Sequence, residues 1–339
     1  MGQKHTCAIF SDGNLKCWGG TELGEIGTGL FTNDYFTTPQ IVQFDAERFP
    51  VAVSSSKRHT CAILDNGELM CWGYNSHGQL GIGTYGWSVS ENTPQLVDLG
   101  VGKTAKSVST GSDHTCAILN DDSLKCWGSP GNGELLGNGA ISIQPTPQLV
   151  NLGPGKTAVS VSAGISHTCA ILNDGNIKCW GSNNAGQLGI GSTINQPSPQ
   201  QVNLGTNHFA VAVDVGSGYH TCAVLDNGNL TCWGSNANGQ LGIGGTSNVN
   251  SPQNVDIGQG LSVVSVSAGM SHTCAILSDS SLKCWGQNNY GQLGYESSGQ
   301  PVTVPDLVGL NGDREPSHLF SFSTMIRATG HFLHKFLHL

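Results

Sequence analysis

The chain has 339 residues, of which 48 are Gly and 11% are charged, with a formal net charge of −9 at pH 7. So little charge excludes an acidic disordered chain, so much Gly excludes a helical one, and the lack of a Lys/Arg stripe removes the phosphate-neutralising surface that nucleic acid requires. A basic protein or peptide remains compatible with this charge, and no run of eighteen apolar residues encodes a membrane-spanning helix.

From the N-terminus, Met1-Gly2-Gln3-Lys4-His5-Thr6-Cys7 has no apolar stretch of the kind a secretory signal needs, and it enters a repeating pattern by His5. We expect the natural chain to carry sequence upstream. His-Thr-Cys recurs at His5, His59, His114, His167, His220 and His272, at spacings of 54, 55, 53, 53 and 52 residues. Repeats of this length built from several short strands predict propeller blades.

The fourth repeat shows the plan. Val159-Ser160-Val161-Ser162 alternates as a strand does, and His167 to Leu172 forms a second strand. Asn173-Asp174-Gly175 is a three-residue hairpin loop with Gly where φ must be positive, and Asn176 to Trp180 forms the third strand. A Gly-rich loop with Gly186-Gln187-Leu188-Gly189 leads to a fourth strand at Pro199-Gln200-Gln201-Val202, whose leading Pro suits an edge.

The run Trp72-Gly73-Tyr74-Asn75-Ser76-His77-Gly78-Gln79-Leu80-Gly81 recurs intact in repeats two, four, five and six, and in altered form at Trp18-Gly19-Gly20…Leu23-Gly24 and Gly133-Glu134-Leu135-Leu136-Gly137. It resembles the regulator-of-chromosome-condensation repeat, of the type also seen in alpha-tubulin-suppressor-like proteins, from residue 5 to about 308. The resemblance implies an all-β fold, a β-propeller of four-stranded antiparallel blades, seven in most members. Six are recognisable here, near 1–42, 51–97, 105–150, 158–202, 209–255 and 263–308. The first lacks an opening strand, and Phe320-Ser321-Phe322-Ser323 copies the apolar-Ser alternation of Val159 to Ser162. A strand at 319–323 would then close a single domain over 1–323 as six blades, removing open sheet edges, with seven blades as the alternative. The tail 324–339 fits no repeat and receives no role.

Twelve cysteines form six pairs ten residues apart: Cys7 with Cys17, Cys61 with Cys71, Cys116 with Cys126, Cys169 with Cys179, Cys222 with Cys232, and Cys274 with Cys284. Each pair is centred on the middle residue of its hairpin loop, so the two cysteines stand opposite each other. If the pair next to the loop is hydrogen-bonded, that register puts them at a non-hydrogen-bonded site, where Cα atoms approach to about 4.5 Å and a disulfide can form. Reduced apolar fillers and a His/Cys/Cys metal site are the competing readings, although no Cys-x-x-Cys knuckle supports a metal. Paired cysteines place the protein outside the cell or in a periplasm.

The six repeat histidines read as structural, each bonding a neighbouring loop, rather than as a metal or pH-sensing ring. The six repeat tryptophans, Trp18, Trp72, Trp127, Trp180, Trp233 and Trp285, read as packing between blades. The plant ultraviolet-B photoreceptor shares the fold and uses clustered tryptophans, but one Trp per blade does not make such a cluster. Gly-Gln-Leu-Gly lacks the Gly-Lys-Ser/Thr of a phosphate cradle, and the hairpin Asp and Asn residues lack calcium-ligand spacing. No catalytic set, cofactor or metal is predicted.

What varies between repeats is the loop joining third and fourth strands. By strand alternation these loops share one face with the first-to-second strand turns. Tyr85 and Trp87 in repeat two, Phe31 and Tyr35 in repeat one, and Tyr219 in the fifth are the candidate partner-binding residues, because aromatics on loops held by a rigid scaffold make binding faces. The expectation is a monomeric, non-enzymatic scaffold that binds a protein. The alternative is nucleotide exchange on a small GTPase, as the family's founder performs, which requires a reducing compartment and a wedge-like insertion.

Overall fold

The computed structural model describes residues 2, 4–32, 34–45, 48–87, 89–132, 134–295 and 300–309. The expected closing strand at 319–323 and the tail lie outside these. The described residues are all-β: six antiparallel sheets whose neighbouring strands are also consecutive in sequence, as blades of a β-propeller are. They fall into two compact units, one built on Met1–Asn151 and one on Leu152–Asp313.

The first unit holds blades 1 to 3. Among the described residues blade 1 has three strands, His5–Ile9, Leu15–Gly20 and Tyr35–Ile41. Blade 2 comprises Pro50–Ser55, His59–Leu64, Leu69–Tyr74 and Ser90–Leu96, and blade 3 comprises Ala105–Thr110, His114–Leu119, Leu124–Gly128 and Gln144–Leu149. The second unit holds blade 4 (Ala158–Ala163, His167–Leu172, Ile177–Gly181, Gln196–Gln201), blade 5 (Ala210–Val215, His220–Leu225, Leu230–Gly234, Val249–Val255) and blade 6 (Val263–Ala268, His272–Leu277, Leu282–Gly286, Val302–Leu307).

Each fourth strand starts earlier than its leading proline. In blade 4 it runs Gln196–Gln201, with a register shift opposite Trp180, instead of starting at Pro199. Pro197 and Pro199 are two residues apart, so both imide nitrogens point to the outer side, where no strand needs a donor. Every fourth strand carries such a proline: Pro39, Pro94, Pro145 and Pro147, Pro197 and Pro199, Pro252 and Pro305.

The hairpins follow the symmetry of the sequence. Thr168 faces Trp180, Cys169 faces Cys179, and the same register recurs in all six blades. Every expected disulfide is formed: Cys7 to Cys17, Cys61 to Cys71, Cys116 to Cys126, Cys169 to Cys179, Cys222 to Cys232, and Cys274 to Cys284. In each, the Cα atoms stand 4.1 Å apart, as a non-hydrogen-bonded pair requires. The sulfurs are thereby unavailable as metal ligands, and the reduced-filler reading falls with the metal one. The loop-centre residue accepts a hydrogen bond from the backbone N–H two residues on, at 3.0 Å for Asp12, Asn66, Asn227 and Asp279 and 3.2 Å for Asp121 and Asp174. These side chains shape turns. The left-handed position after them is Gly175 in blade 4, but Asp122 (φ 62°) in blade 3 and Ser280 (φ 68°) in blade 6.

Within each unit, a Trp–Gly contact joins successive blades beside the apolar core that they share. A methyl group on Gly81 would lie 2.5 Å from Trp127 Nε1, and one on Gly189 would lie 2.6 Å from Trp233 Nε1. Only Gly lets the preceding blade's loop lie flat on the indole. Trp72, Trp127, Trp180, Trp233 and Trp285 are fully buried. Burying on the order of 200 Å² of each contributes roughly 5 kcal/mol before ordering costs.

Candidate functional site

The repeat histidines, expected to bond a neighbouring loop, link blades through Nε2 to a hydroxyl of the next blade's second strand, and His59 also bonds the Ser56 hydroxyl of its own turn through Nδ1 at 3.1 Å. His5, His59, His167 and His220 Nε2 lie 2.8, 2.8, 2.7 and 2.9 Å from the Oγ1 of Thr60, Thr115, Thr221 and Thr273. Thr115 donates to the Gln79 carbonyl at 2.8 Å, and Trp127 Nε1 donates to the same oxygen at 3.0 Å. Thr221 and Trp233 share the Gln187 carbonyl, and Thr273 and Trp285 share that of Gln240. In blade 1 Glu25 stands in for the Gln, and its carbonyl accepts from Thr60 and Trp72. Burial, the main cause, pushes His5, His59 and His220 down to about 3 and His114 to about 4, because an imidazolium there would lose its hydration. Neutral rings committed to hydroxyls are poor metal ligands, and among the described residues no group of three His, Cys, Asp or Glu side chains is arranged to hold an ion.

The loops between third and fourth strands are held at both ends. In blade 2, Asn75 accepts from Leu80 N (3.0 Å), its Nδ2 donates to Thr84 O (2.8 Å), and its backbone N donates to Val89 O (3.0 Å). Asn183, Asn236 and Asn288 repeat this clamp, and Thr21 Oγ1, bonding Leu30 O at 3.0 Å, replaces it in blade 1. The Asn of the Trp-Gly-x-Asn motif is therefore the loop's fastener, a role its turn-like sequence did not reveal. A second anchor runs to the next blade's fourth strand, as Gly29 N donates to Asn92 O at 2.7 Å and Gly83 N to Pro145 O at 2.9 Å.

In blades 1 and 2 large aromatic side chains project at these loops. Trp87 is 95% exposed, and Tyr85, Phe31 and Tyr35 are each exposed by about half of their surface. These four belong to the first unit, where the blade 1 loop lies against the blade 2 strand that the Trp87 loop enters. Tyr219 belongs to the second unit. It is exposed and sits at φ 63° in a turn that is one residue longer than its counterparts, and Gly218 beside it has no room for a side chain against the Met270 backbone. Sequence reading missed Tyr290, 90% exposed inside the motif itself, where other blades carry His77, Ala185 and Asn238. It also missed Ile141 and Ile194, exposed at loop positions comparable to Trp87.

A model of the RCC1-like domain matches residues 1–329. The chain is 31% identical over 255 residues to the ultraviolet-B receptor UVR8 of Arabidopsis thaliana, covering 75% of this chain and 56% of the receptor. It thus spans about half the length of that relative. Among solved structures, human WBSCR16 superposes with a TM-score of 0.81 at 19% identity, over 93% of this chain and 81% of that one. Yeast RCC1 (Prp20) bound to Kap60 gives 0.76 at 19% identity, over 91% and 73%. Six His-Thr-Cys hairpins, the Trp–Gly contacts and this match together place the chain in the RCC1-like domain family.

Proposed function

We propose that the chain is a non-enzymatic scaffold, exported to an oxidising compartment, that acts as a monomer and offers its third-to-fourth strand loops to a protein partner. The observation that carries this is Trp87, 95% exposed at the tip of a loop fastened by Asn75 and anchored through Gly83. Holding a large aromatic rigid and bare in water lowers the ordering cost of binding and suits an interface anchor. Tyr85 beside it, with Phe31 on the blade 1 loop and Tyr35 at the start of the strand that loop enters rather than on the loop itself, extends the candidate patch, and Tyr219 offers a separate contact. A protein partner is supported by yeast RCC1, whose structures describe its complex with Kap60 and its binding to Gsp1p and histones. Export is supported by the six cysteine pairs.

The test compares the immobilised wild-type chain with the double variant Tyr85→Ala, Trp87→Ala for proteins captured from native extract. Loss of capture at an unchanged melting temperature is expected, and equal capture would refute the reading. Accelerated release of a fluorescent guanine nucleotide from a small GTPase would favour the exchange alternative instead.

A further inference from the structure

In blades 3, 4 and 6 the residue before the third-strand Cys is a lysine that reaches back to the segment linking it to the preceding blade. Lys125, Lys178 and Lys283 Nζ donate to the backbone carbonyls of Leu99, Leu152 and Ile257 at 3.0, 3.0 and 3.1 Å. The glycine after each of these residues lies alongside the ammonium: a methyl on Gly100, Gly153 or Gly258 would come within 3.8, 3.5 or 3.8 Å of Nζ. The three side chains lie part-buried along one slot, stem against apolar wall and tip on a main-chain oxygen.

Blade 5 breaks the pattern. Thr231 takes the lysine's place and turns its hydroxyl to the Gln253 carbonyl at 3.0 Å. Beside the matching Gly205 stands the His208 ring, 3.7 Å from where a methyl would be, and no ammonium. Of the six residues at this position, Lys16, Met70, Lys125, Lys178, Thr231 and Lys283, Thr231 is the only short one. Met70, the other that lacks a charge, packs into the core shared by blades 1 and 2. The space left at Thr231 is a cavity of about 600 Å³ between blades 4 and 5. Ile190, Leu204, Leu225 and Pro252 line it, with the amides of Asn203, Asn229 and Asn254 supplying polar groups. The sequence contains no Lys or Arg between Lys178 and Lys283 that could fill it from nearby.

We infer that this groove is a binding site for a primary alkylammonium group, the side chain of a lysine on a protein partner, which enters as Lys125, Lys178 and Lys283 enter their own slots. The methylene stem lies on Leu204, Leu225 and Pro252, and the ammonium donates to the Leu204 carbonyl, the counterpart of Leu99, Leu152 and Ile257. The cavity exceeds one side chain, which leaves room for the residues flanking the lysine. A net charge of −9 favours approach of a basic partner.

The test is amide chemical-shift titration of the whole chain with the peptide acetyl-Gly-Lys-Gly-amide, against the same peptide acetylated on the lysine amine. Saturable shifts at Gly205, Asn229 and Thr231, with a dissociation constant on the order of millimolar for so small a ligand, are expected for the free amine and not for the acetylated peptide. Thr231→Lys supplies the missing side chain in place, and Thr231→Met blocks the slot without charge. Either should weaken the response at least about tenfold. No saturable shift in the wild type, equal shifts from the acetylated peptide, or an undiminished response in a folded Thr231 variant would overturn the inference. Should a variant fail to fold, the comparison of the two peptides on the wild type decides. Tyr85→Ala, Trp87→Ala should leave the titration unchanged, so this site and the aromatic loops stand or fall separately.

Discussion

His220 Nε2 lies 2.9 Å from Thr273 Oγ1 in the next blade, and Thr273 spends its own proton on the Gln240 carbonyl. The hydroxyl is thus an acceptor toward the imidazole, which fixes the proton of neutral His220 on Nε2. Thr273→Val keeps the shape and strands that buried donor. We expect a loss of about 1–3 kcal/mol, read as a lowered guanidinium unfolding midpoint. Thr273→Ser should lose much less, because it keeps the acceptor.

The same histidines make the protein acid-labile. Their folded pKa values, about 3 for His5, His59 and His220 and about 4 for His114, lie below the unfolded value of about 6.5. Below 6.5 the unfolded chain binds protons that the folded chain refuses. Stability is therefore full above pH 6.5 and falls as pH drops toward 3, by about 2 kcal/mol per histidine at pH 5. Buried Glu25 and part-buried Asp214, held above the usual carboxylate range by desolvation, act in the opposite sense at lower pH. Exposed Asp12, lowered to about 2 by its hydrogen bond with Lys16, and half-exposed Asp174, which burial raises but hydrogen bonds with Lys156 and Asn176 bring down to about 2, act only below about pH 4. The melting temperature should drop steeply between pH 6.5 and 4.5, and a flat profile there would contradict buried neutral rings.

Thiol titration in denaturant without reductant should find no free cysteine, since all twelve are bonded. Replacing Cys169 and Cys179 together by Ala should cost roughly 2.5–3 kcal/mol in the chain-entropy account, plus a cavity term. Native-state reduction should be slow, as both sulfurs of that pair are fully buried.

Ser280 occupies a left-handed hairpin position at φ 68°, where Gly13, Gly67, Gly175 and Gly228 stand in other blades. Ser280→Gly should raise stability by about 0.5–1 kcal/mol, measured by denaturant midpoint. Asp122→Gly should gain less, because Asp122 also pairs with Lys106 at 2.5 Å on the exposed surface.

Contacts inside a hairpin were legible in the sequence because they are local and symmetric. Cys169 and Cys179 flank Asp174 at equal distance, so their pairing follows from counting. Links between blades were not. Nothing near His59 identifies Thr115 as its partner, 56 residues away, and only the stacking of two sheets brings them together. Trp87 stood out as the one Trp outside the repeat, whereas Tyr290 was hidden inside a motif read as a turn. The slot at Thr231 was illegible for a related reason. One Lys-to-Thr change along a strand passes for drift until Lys178 is seen reaching Leu152, 26 residues back.

The prolines of the outer strands restrict how anything can attach to this molecule. A strand arriving to extend blade 3 would meet Pro145 and Pro147, and at blade 4 Pro197 and Pro199, each withholding the main-chain donor such β-augmentation relies on. Copies of the chain are thereby discouraged from zippering edge to edge. Recognition is left to side chains at loop tips and in grooves, so partner choice can be retuned one substitution at a time without disturbing the sheets beneath.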